Sequence, residues 1–343
     1  MKKIAIIGGG IVGSTAAYYL SKHGNQVTLY DDSTGQATKA AVGIICPWVS
    51  QRRNQEWYQL AREGAAFYQT LNQDLKDTSY YRQSGALITH DKLLDKLYHI
   101  ALQRRIDAPE MGDVEILEGQ ALKEKLPPFI QCERALYVSG GAQVDGLKLI
   151  KTLQKEAENL TVINKRVYWS RQENQLMVDG QAYDAVILAC GAWLQEQFPN
   201  KELNVKPQKG QLIEFNNILE PNHNYPVFMP QGEIDFLYGN QGQLVIGATH
   251  ENEKGFNLDI DPNSSEYLKN EAKKNFPDID KLEIDHVRVG TRAVSSNFSP
   301  FYGEVEGEPG VYHASGLGSS GLTTGVVIGK KISNFLREDF KLT

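Results

Sequence analysis

The sequence predicts an α/β fold that opens on a βαβ unit. Two observations predict it: an apolar run that breaks into glycines ahead of a helical pattern at the start of the chain, and a second glycine-rich turn ahead of a helical pattern at its end. Lys2 to Ile7 is short and apolar, as a buried strand is. Gly8-x-Gly10-x-x-Gly13 follows at once, then Ile11, Ala16, Ala17 and Leu20 at helical spacing, with Gly24 as the expected stop. Gln26 to Tyr30 reads as a second strand that closes on Asp31 and Asp32. Each glycine has a task in such a unit. Gly8 permits the tight turn, Gly10 lets backbone approach a pyrophosphate, and Gly13 lets helix and strand pack closely. Phosphates suit the helix N-terminus, where free N–H groups and the helix dipole favour anions, with Ile11 and Val12 in the first turn. Asp31 follows Gly13 at close to the roughly 20-residue spacing expected for an acid on a ribose 2′-hydroxyl. An acid rather than an Arg there disfavours a 2′-phosphate, which leaves NAD and FAD as ligands.

Composition narrows the class. The chain has 343 residues, enough for one or two domains, and a formal charge of −6 with its Lys and Arg scattered, which argues against nucleic acid. No uncharged apolar stretch approaches the roughly 20 residues of a membrane span, so a soluble protein is expected. Cys46, Cys132 and Cys190 are far apart and form no CxxC or His/Cys metal pattern. Reduced thiols, a cytoplasmic location and no metal are the expectations.

The rest of the chain resembles the D-amino-acid oxidase superfamily of FAD enzymes, and most of all its glycine oxidase and D-amino acid dehydrogenase-like members. Five segments carry the resemblance in the family's order. The small-residue loop Ala37-Thr38-Lys39-Ala40-Ala41-Val42-Gly43-Ile44 is similar to the one that wraps the pyrophosphate and ribityl chain. Gly141 to Asp145 resembles the crossing back into the FAD domain, ahead of a helix from about 147 to 160. The apolar run from Tyr183 to Ala189 reads as a buried strand that ends in Cys190-Gly191-Ala192-Trp193, beside the nucleotide in the family, and a strand near Val167 would offer its backbone to the adenine. Lys209-Gly210-Gln211 and Gly247-Ala248-Thr249 resemble two strands of an antiparallel substrate sheet. Last come Gly290-Thr291-Arg292, Pro300-Phe301-Tyr302-Gly303 and the turn Gly316-Leu317-Gly318-Ser319-Ser320-Gly321-Leu322, which opens a helix to about Leu336.

The resemblance implies non-covalent FAD, with the opening turn on the ADP half and the closing turn at the flavin, where a positive helix end stabilises the reduced ring by about 0.3–2 kcal/mol. It implies an α/β architecture: a doubly wound, Rossmann-like FAD domain from residues 1–78, 140–205 and 296–343, and an α+β substrate domain on an antiparallel sheet from residues 79–139 and 206–295, including a strand near 81–89 and a helix near 93–104. Arg292 stands where the family binds the substrate carboxylate, a task for which a guanidinium fork supplies two parallel N–H···O bonds. The sequence departs from the family at Leu317, Ala293 and Asn297, where His, Pro and Asp are frequent, and those departures bear on substrate and rate rather than fold.

The activity so implied is removal of a hydride from the amine-bearing carbon of a small amino acid (glycine, a D-amino acid or an N-alkyl amino acid), giving an imine that hydrolyses, with oxygen or another acceptor taking the electrons. The amine lone pair drives the loss of hydride, so no strong protein base is required. His250, at the end of an alternating strand from Gln243 to Ala248, is a candidate pocket residue; Phe236 and Tyr238 are candidates to cap the substrate, and Trp48 to face the flavin. Two other readings stay open: an FAD-dependent 2-hydroxy acid dehydrogenase, for which His250 would be the base, and a non-catalytic FAD-binding subunit. A homo-oligomer is equally open.

Overall fold

The computed structural model describes residues 1–342. Six strands form the first sheet, in the order Phe301–Glu304, Val311–Ser315, Ala185–Leu188, Lys3–Ile7, Gln26–Tyr30 and Leu160–Ile163. All neighbours are parallel except the edge strand Phe301–Glu304, which runs antiparallel to Val311–Ser315. The central strands are near-continuous apolar runs because both faces are covered. Ile4, Ile6, Val27, Leu29 and Ile187 pack into one core with the helices Ile11–Lys22, Gly146–Glu156 and Gly321–Leu342. Ala5, Ile7, Val186 and Leu188 alternate to the other face and pack into a second core.

The parallel, Rossmann-like sheet is the one expected, and strands rather than helices cover much of its second face. They form a three-stranded antiparallel meander, Trp169–Gln172, Gln175–Val178 and Gln181–Tyr183, which contributes Leu176 and Val178 to the core. Two-residue turns link its strands, with positive φ at Glu173 and Asn174 (45° and 70°) and at Asp179 and Gly180 (49° and 73°), the geometry that suits the twist of a hairpin. Val167 lies in the irregular segment before the meander and not in a strand, which corrects the expectation of one there.

The second large sheet has eight strands, in the order His286–Val294, Lys206–Phe215, Leu244–Gly247, Asp235–Tyr238, Val227–Met229, Ala86–Ile88, Arg134–Val138 and Val114–Glu118. It is antiparallel except between Val227–Met229 and Ala86–Ile88. The single strand expected over 81–89 is two. Tyr81–Arg82 joins a small sheet with Ala142–Val144 and Ile44–Ile45, and Ala86–Ile88 joins the large one. Gly85 makes the break, at φ 85° with Tyr137 lying where a side chain would be. The helix expected over 147–160 ends at Glu156, so that Leu160 already belongs to the edge strand of the parallel sheet.

The terminal helix Gly321–Leu342 crosses the opening helix at glycines. A Cβ on Gly325 would come 2.5 Å from a methyl of Ile11, and one on Gly329 would come 2.6 Å from the Val12 carbonyl oxygen. The two helices therefore touch backbone to backbone near their first turns, which brings the two ends of the chain to one cleft. No helix among the described residues is long and apolar enough to cross a membrane.

Candidate active site

The cleft lies between the C-terminal ends of the parallel strands and the face of the eight-stranded sheet, the place where open α/β sheets bind ligands. At its deep end Gly8 has φ 106°, and a Cβ there would stand 2.2 Å from the Ala189 carbonyl oxygen. A Cβ on Gly13 would stand 1.9 Å from the carbonyl oxygen of Gly8. Strand, turn and helix are thus packed through bare backbone, with Gly8, Gly10, Ile11 and Val12 on the cleft wall and Gly13 behind it. Thr38 closes over the helix start, its Oγ1 accepting from Ile11 N–H at 3.1 Å.

Asp31 and Asp32 line the cleft beyond the second strand. The Asp31 carboxylate accepts from the N–H groups of Gly9 and Ser33 and from the Gln36 side-chain amide. Asp32 pairs with Arg166 at 2.9 Å. Arg166, Gln36 and Glu196 are cleft residues that no motif in the sequence signals; the fold brings them together from segments far apart. Val167, Cys190, Gly191 and Trp193 complete this end, the Val167 carbonyl accepting from Gln197 Nε2 at 3.0 Å. Burial raises the thiol pKa of both Cys190 and Cys46, the latter to about 12, so neither is a thiolate at neutral pH.

Val42, Gly43 and Ile44 run along the middle of the cleft, and Leu317, Gly318, Ser319, Gly321 and Leu322 form its other end. Three expected contacts turn away from it. Lys39 contributes only its carbonyl, to Arg288. Gly316, at φ 78°, packs against Ser295 and Ser299. Ser320 Oγ accepts from Trp57 Nε1 at 3.0 Å and donates to the Leu317 carbonyl at 2.8 Å, holding the turn from behind.

Arg292 enters the cleft from the edge strand His286–Val294. Its Nη1 donates to the Thr249 carbonyl at 2.8 Å and to Gln208 Oε1 at 3.2 Å, and no ion pair among the described residues involves it. Burial pushes its pKa down to about 10, opposed by the more distant charge of Glu251, so it stays charged at neutral pH. Gly210 makes room for it. A Cβ at Gly210 would meet the guanidinium at 2.7–2.9 Å. Gly210→Ala is therefore expected to displace the fork and raise the KM of a carboxylate substrate by roughly 5- to 150-fold, the equivalent of about 1–3 kcal/mol of overpacking, with kcat less affected. Steady-state kinetics on the FAD-loaded variant checks this, and an unchanged KM would detach Gly210 from substrate binding.

His250 borders the same cleft. Withdrawal of water by the surrounding protein holds its pKa below the ordinary imidazole value, helped by the charges of Arg292 and Arg52 and opposed by Glu233, so the ring is neutral at pH 7.

The aromatic candidates are corrected. Phe236 and Tyr238 are fully buried on the core side of their strand, with Phe228, Leu244 and Ile246. The opposite face presents Asp235 to the cleft. Side chains alternate along a strand, so a reading that placed 236 and 238 in the pocket took the wrong parity. Trp48 is 1% exposed and does not line the cleft; its Nε1 donates to Glu110 Oε1 at 3.2 Å. Asp235 was not anticipated, although it is the one charged residue in the run Asp235-Phe236-Leu237-Tyr238. Its carboxyl has no hydrogen-bond or ion-pair partner among the described residues, and burial pushes its pKa up to about 7.

The cleft fits an extended dinucleotide. It runs without interruption from Gly8 to Leu322 between two helix starts, and two of its polar atoms, Gln36 Oε1 and Thr291 Oγ1, are buried without a partner among the described residues. Comparison with known proteins agrees. The chain is 35% identical over 353 residues to YurR of Bacillus subtilis (strain 168), described as an uncharacterized oxidoreductase, across 98% of this chain and 95% of that one. It is 22% identical over 357 residues to glycine oxidase of the same organism, across 96% and 92%. The crystal structure of iminodiacetate oxidase from Chelativorans sp. BNC1 superposes with a TM-score of 0.92 at 29% identity, covering 98% of this chain and 95% of that one. That of glycine oxidase from Geobacillus kaustophilus gives 0.82 at 20% identity, covering 98% and 95%. Residues 3–334 match the family model described as DAO, FAD dependent oxidoreductase. A glycine-cradled dinucleotide cleft and a match over nearly the whole chain lead to one conclusion: the protein belongs to the DAO family of FAD-dependent oxidoreductases and its cofactor is FAD.

Proposed function

We propose that the protein oxidises a small amino acid (glycine, a D-amino acid or an N-alkyl amino acid) at the carbon that bears the amine. The observation that carries this reading is Arg292, a guanidinium in the cleft with no ion-pair partner among the described residues. A buried charge without a partner is costly, and an incoming carboxylate would supply one. FAD, when bound, supplies the acceptor for the hydride that leaves the substrate carbon. The chain does the rest. Arg292 fixes the carboxylate, while Thr249 and Gln208 hold the guanidinium in place. Asp235, once ionised, takes a proton from the substrate ammonium and so frees the amine lone pair. The resulting imine hydrolyses in water to an oxo product and an amine or ammonia. Glycine oxidase and iminodiacetate oxidase, both of this fold, are named for amine-bearing acids, which supports the same substrate class.

The test is anaerobic mixing of the yellow protein with amino acids, N-methyl amino acids and 2-hydroxy acids, following flavin absorbance. Bleaching by an amine is expected, and return of colour on admitting air would make oxygen a competent acceptor. Bleaching by 2-hydroxy acids alone would replace the reading with hydroxyl oxidation, and no bleaching by any of them would make the nucleotide structural.

Asp235 gives a second, pH-dependent expectation. With its folded pKa near 7, kcat/KM for an amine should rise with pH through about 7, and Asp235→Asn should lose that limb. Stability moves the other way. Between about pH 4 and pH 7 the unfolded chain has released this proton and the folded chain has not, so stability falls as pH rises through that window. Asp235→Asn removes the penalty, and its Tm relative to wild type should be higher at about pH 8 than at about pH 4. A constant Tm difference across that range would contradict the assigned titration.

A further inference from the structure

Arg52 lies in the loop ahead of the helix Gln55–Asp74. It is half-buried, its Nη2 donates to Ser319 Oγ at 3.0 Å, and its guanidinium carbon stands 4.5 Å from the centroid of the Trp57 ring. No ion pair among the described residues involves it, and with one nitrogen committed to Ser319 its other N–H donors remain for a ligand. The groove that Arg52 and Trp57 line opens into the main cleft, the two sharing Ile44, Glu233, Asp235, Ser319 and Thr323. Arg292 and His250 line the same cleft, and the charges of Arg292 and Arg52 both act on that imidazole. Asp235, with its unpartnered carboxyl, belongs to the walls of both spaces. The charges thus read positive at Arg292 and at Arg52, with the carboxyls of Asp235 and Glu233 on the walls that the two spaces share.

We propose that Arg52 is a second carboxylate anchor, and that the preferred substrate is an amine that carries two carboxylate arms. Such a molecule is negative, cationic and negative along its length and complements two guanidiniums and the Asp235 and Glu233 carboxyls on the walls their spaces share. Each half-buried guanidinium, which lacks an acid of its own, gains a charge-assisted pair. The inference rests on the amine-oxidation reading and narrows its substrate class.

The test uses the FAD-loaded full chain and two matched pairs. Sarcosine and iminodiacetate differ by one carboxylate and are compared by kcat/KM for anaerobic flavin reduction. Methylthioacetate and thiodiacetate keep those shapes without an oxidisable amine and are compared by Kd, read from the flavin spectrum. The wild type is expected to favour the two-carboxylate member of each pair by roughly 10- to 150-fold, as one charge-assisted hydrogen-bonded pair implies. Arg52→Gln should collapse both ratios to near one, and Arg52→Lys should leave them in between, because a point charge replaces part of what a fork supplies. Equal weakening of both members by Arg52→Gln, with the ratios kept, would mark Arg52 as a brace for the Ser319 turn and overturn the proposal. The wild-type ratios need no variant, so a variant that loses FAD does not rescue the idea. Bleaching by sarcosine with no gain from the second carboxylate sinks the second anchor and leaves amine oxidation standing. Tight thiodiacetate binding with no reduction by either amine keeps the anchor and sinks the oxidation.

Discussion

Arg292→Ala is expected to lower kcat/KM for the amino acid substrate by roughly 30- to 5,000-fold, the equivalent of about 2–5 kcal/mol for truncating one partner of a buried charge pair. The magnitude follows from what surrounds the residue. The guanidinium lies deep enough for its pKa to fall to about 10, it leans on the bare backbone of Gly210, and two neutral oxygens, of Thr249 and Gln208, hold it. No internal carboxylate satisfies it among the described residues, so nothing in the protein replaces the substrate as its counter-ion. Arg292→Lys should recover only part of the loss, because an ammonium offers a charge but no planar fork. FAD content and Tm should stay close to wild type in both variants, since Arg292 anchors no other element by an ion pair. The measurement is steady-state kinetics beside the flavin-to-protein absorbance ratio. If catalysis survives at wild-type efficiency in Arg292→Ala, the carboxylate is bound elsewhere.

Gly13→Ala should be nearly as damaging and for a different reason. Its Cβ would sit 1.9 Å from the Gly8 carbonyl oxygen, and both atoms belong to backbone that is fixed by a strand on one side and a helix on the other. Neither can swing aside as a side chain would. The helix must lift from the strand, which costs about 1–3 kcal/mol or more. The lift also moves the first turn of the helix, which lines the cleft, and loosens the contact of Gly325 and Gly329 with Ile11 and Val12. A largely colourless preparation with a lowered Tm is the expected outcome, read after desalting and by thermal melting. Retention of full FAD content would show that the close packing of this turn is not what holds the nucleotide.

The parallel sheet and its cofactor were legible because local sequence patterns encode them. An apolar run, three glycines at fixed spacing and a strand ending in an acid need only neighbours within about 30 residues to declare themselves. The closing turn at Gly316 to Leu322 declared itself in the same way, and most of that turn lines the same cleft as the opening one.

Other features were invisible for physical reasons. The meander behind the parallel sheet is mostly polar on its outer side, so its short strands lack the apolar signal of a buried one. Sequence alone favours Tyr238 over Asp235 because aromatic character is a local property of a strand residue, whereas parity relative to the cleft is set by which sheet neighbours cover each face. Trp48 looked like a flavin neighbour because it follows the cofactor loop, but Glu110, far along the chain, takes its indole N–H.

The sequence by itself determined the nucleotide-binding turns, the order of the elements and the Arg in a glycine-flanked strand. These are matters of backbone conformation and spacing along the chain. Only the tertiary structure decided which charges meet. Among the described residues it left Arg292 and Arg52 without an ion pair, placed Asp235 and Glu233 on the wall that both of their spaces share, and buried the aromatic candidates. Electrostatic partnership depends on distances through space between residues such as 52, 235 and 292, and no local pattern carries that information.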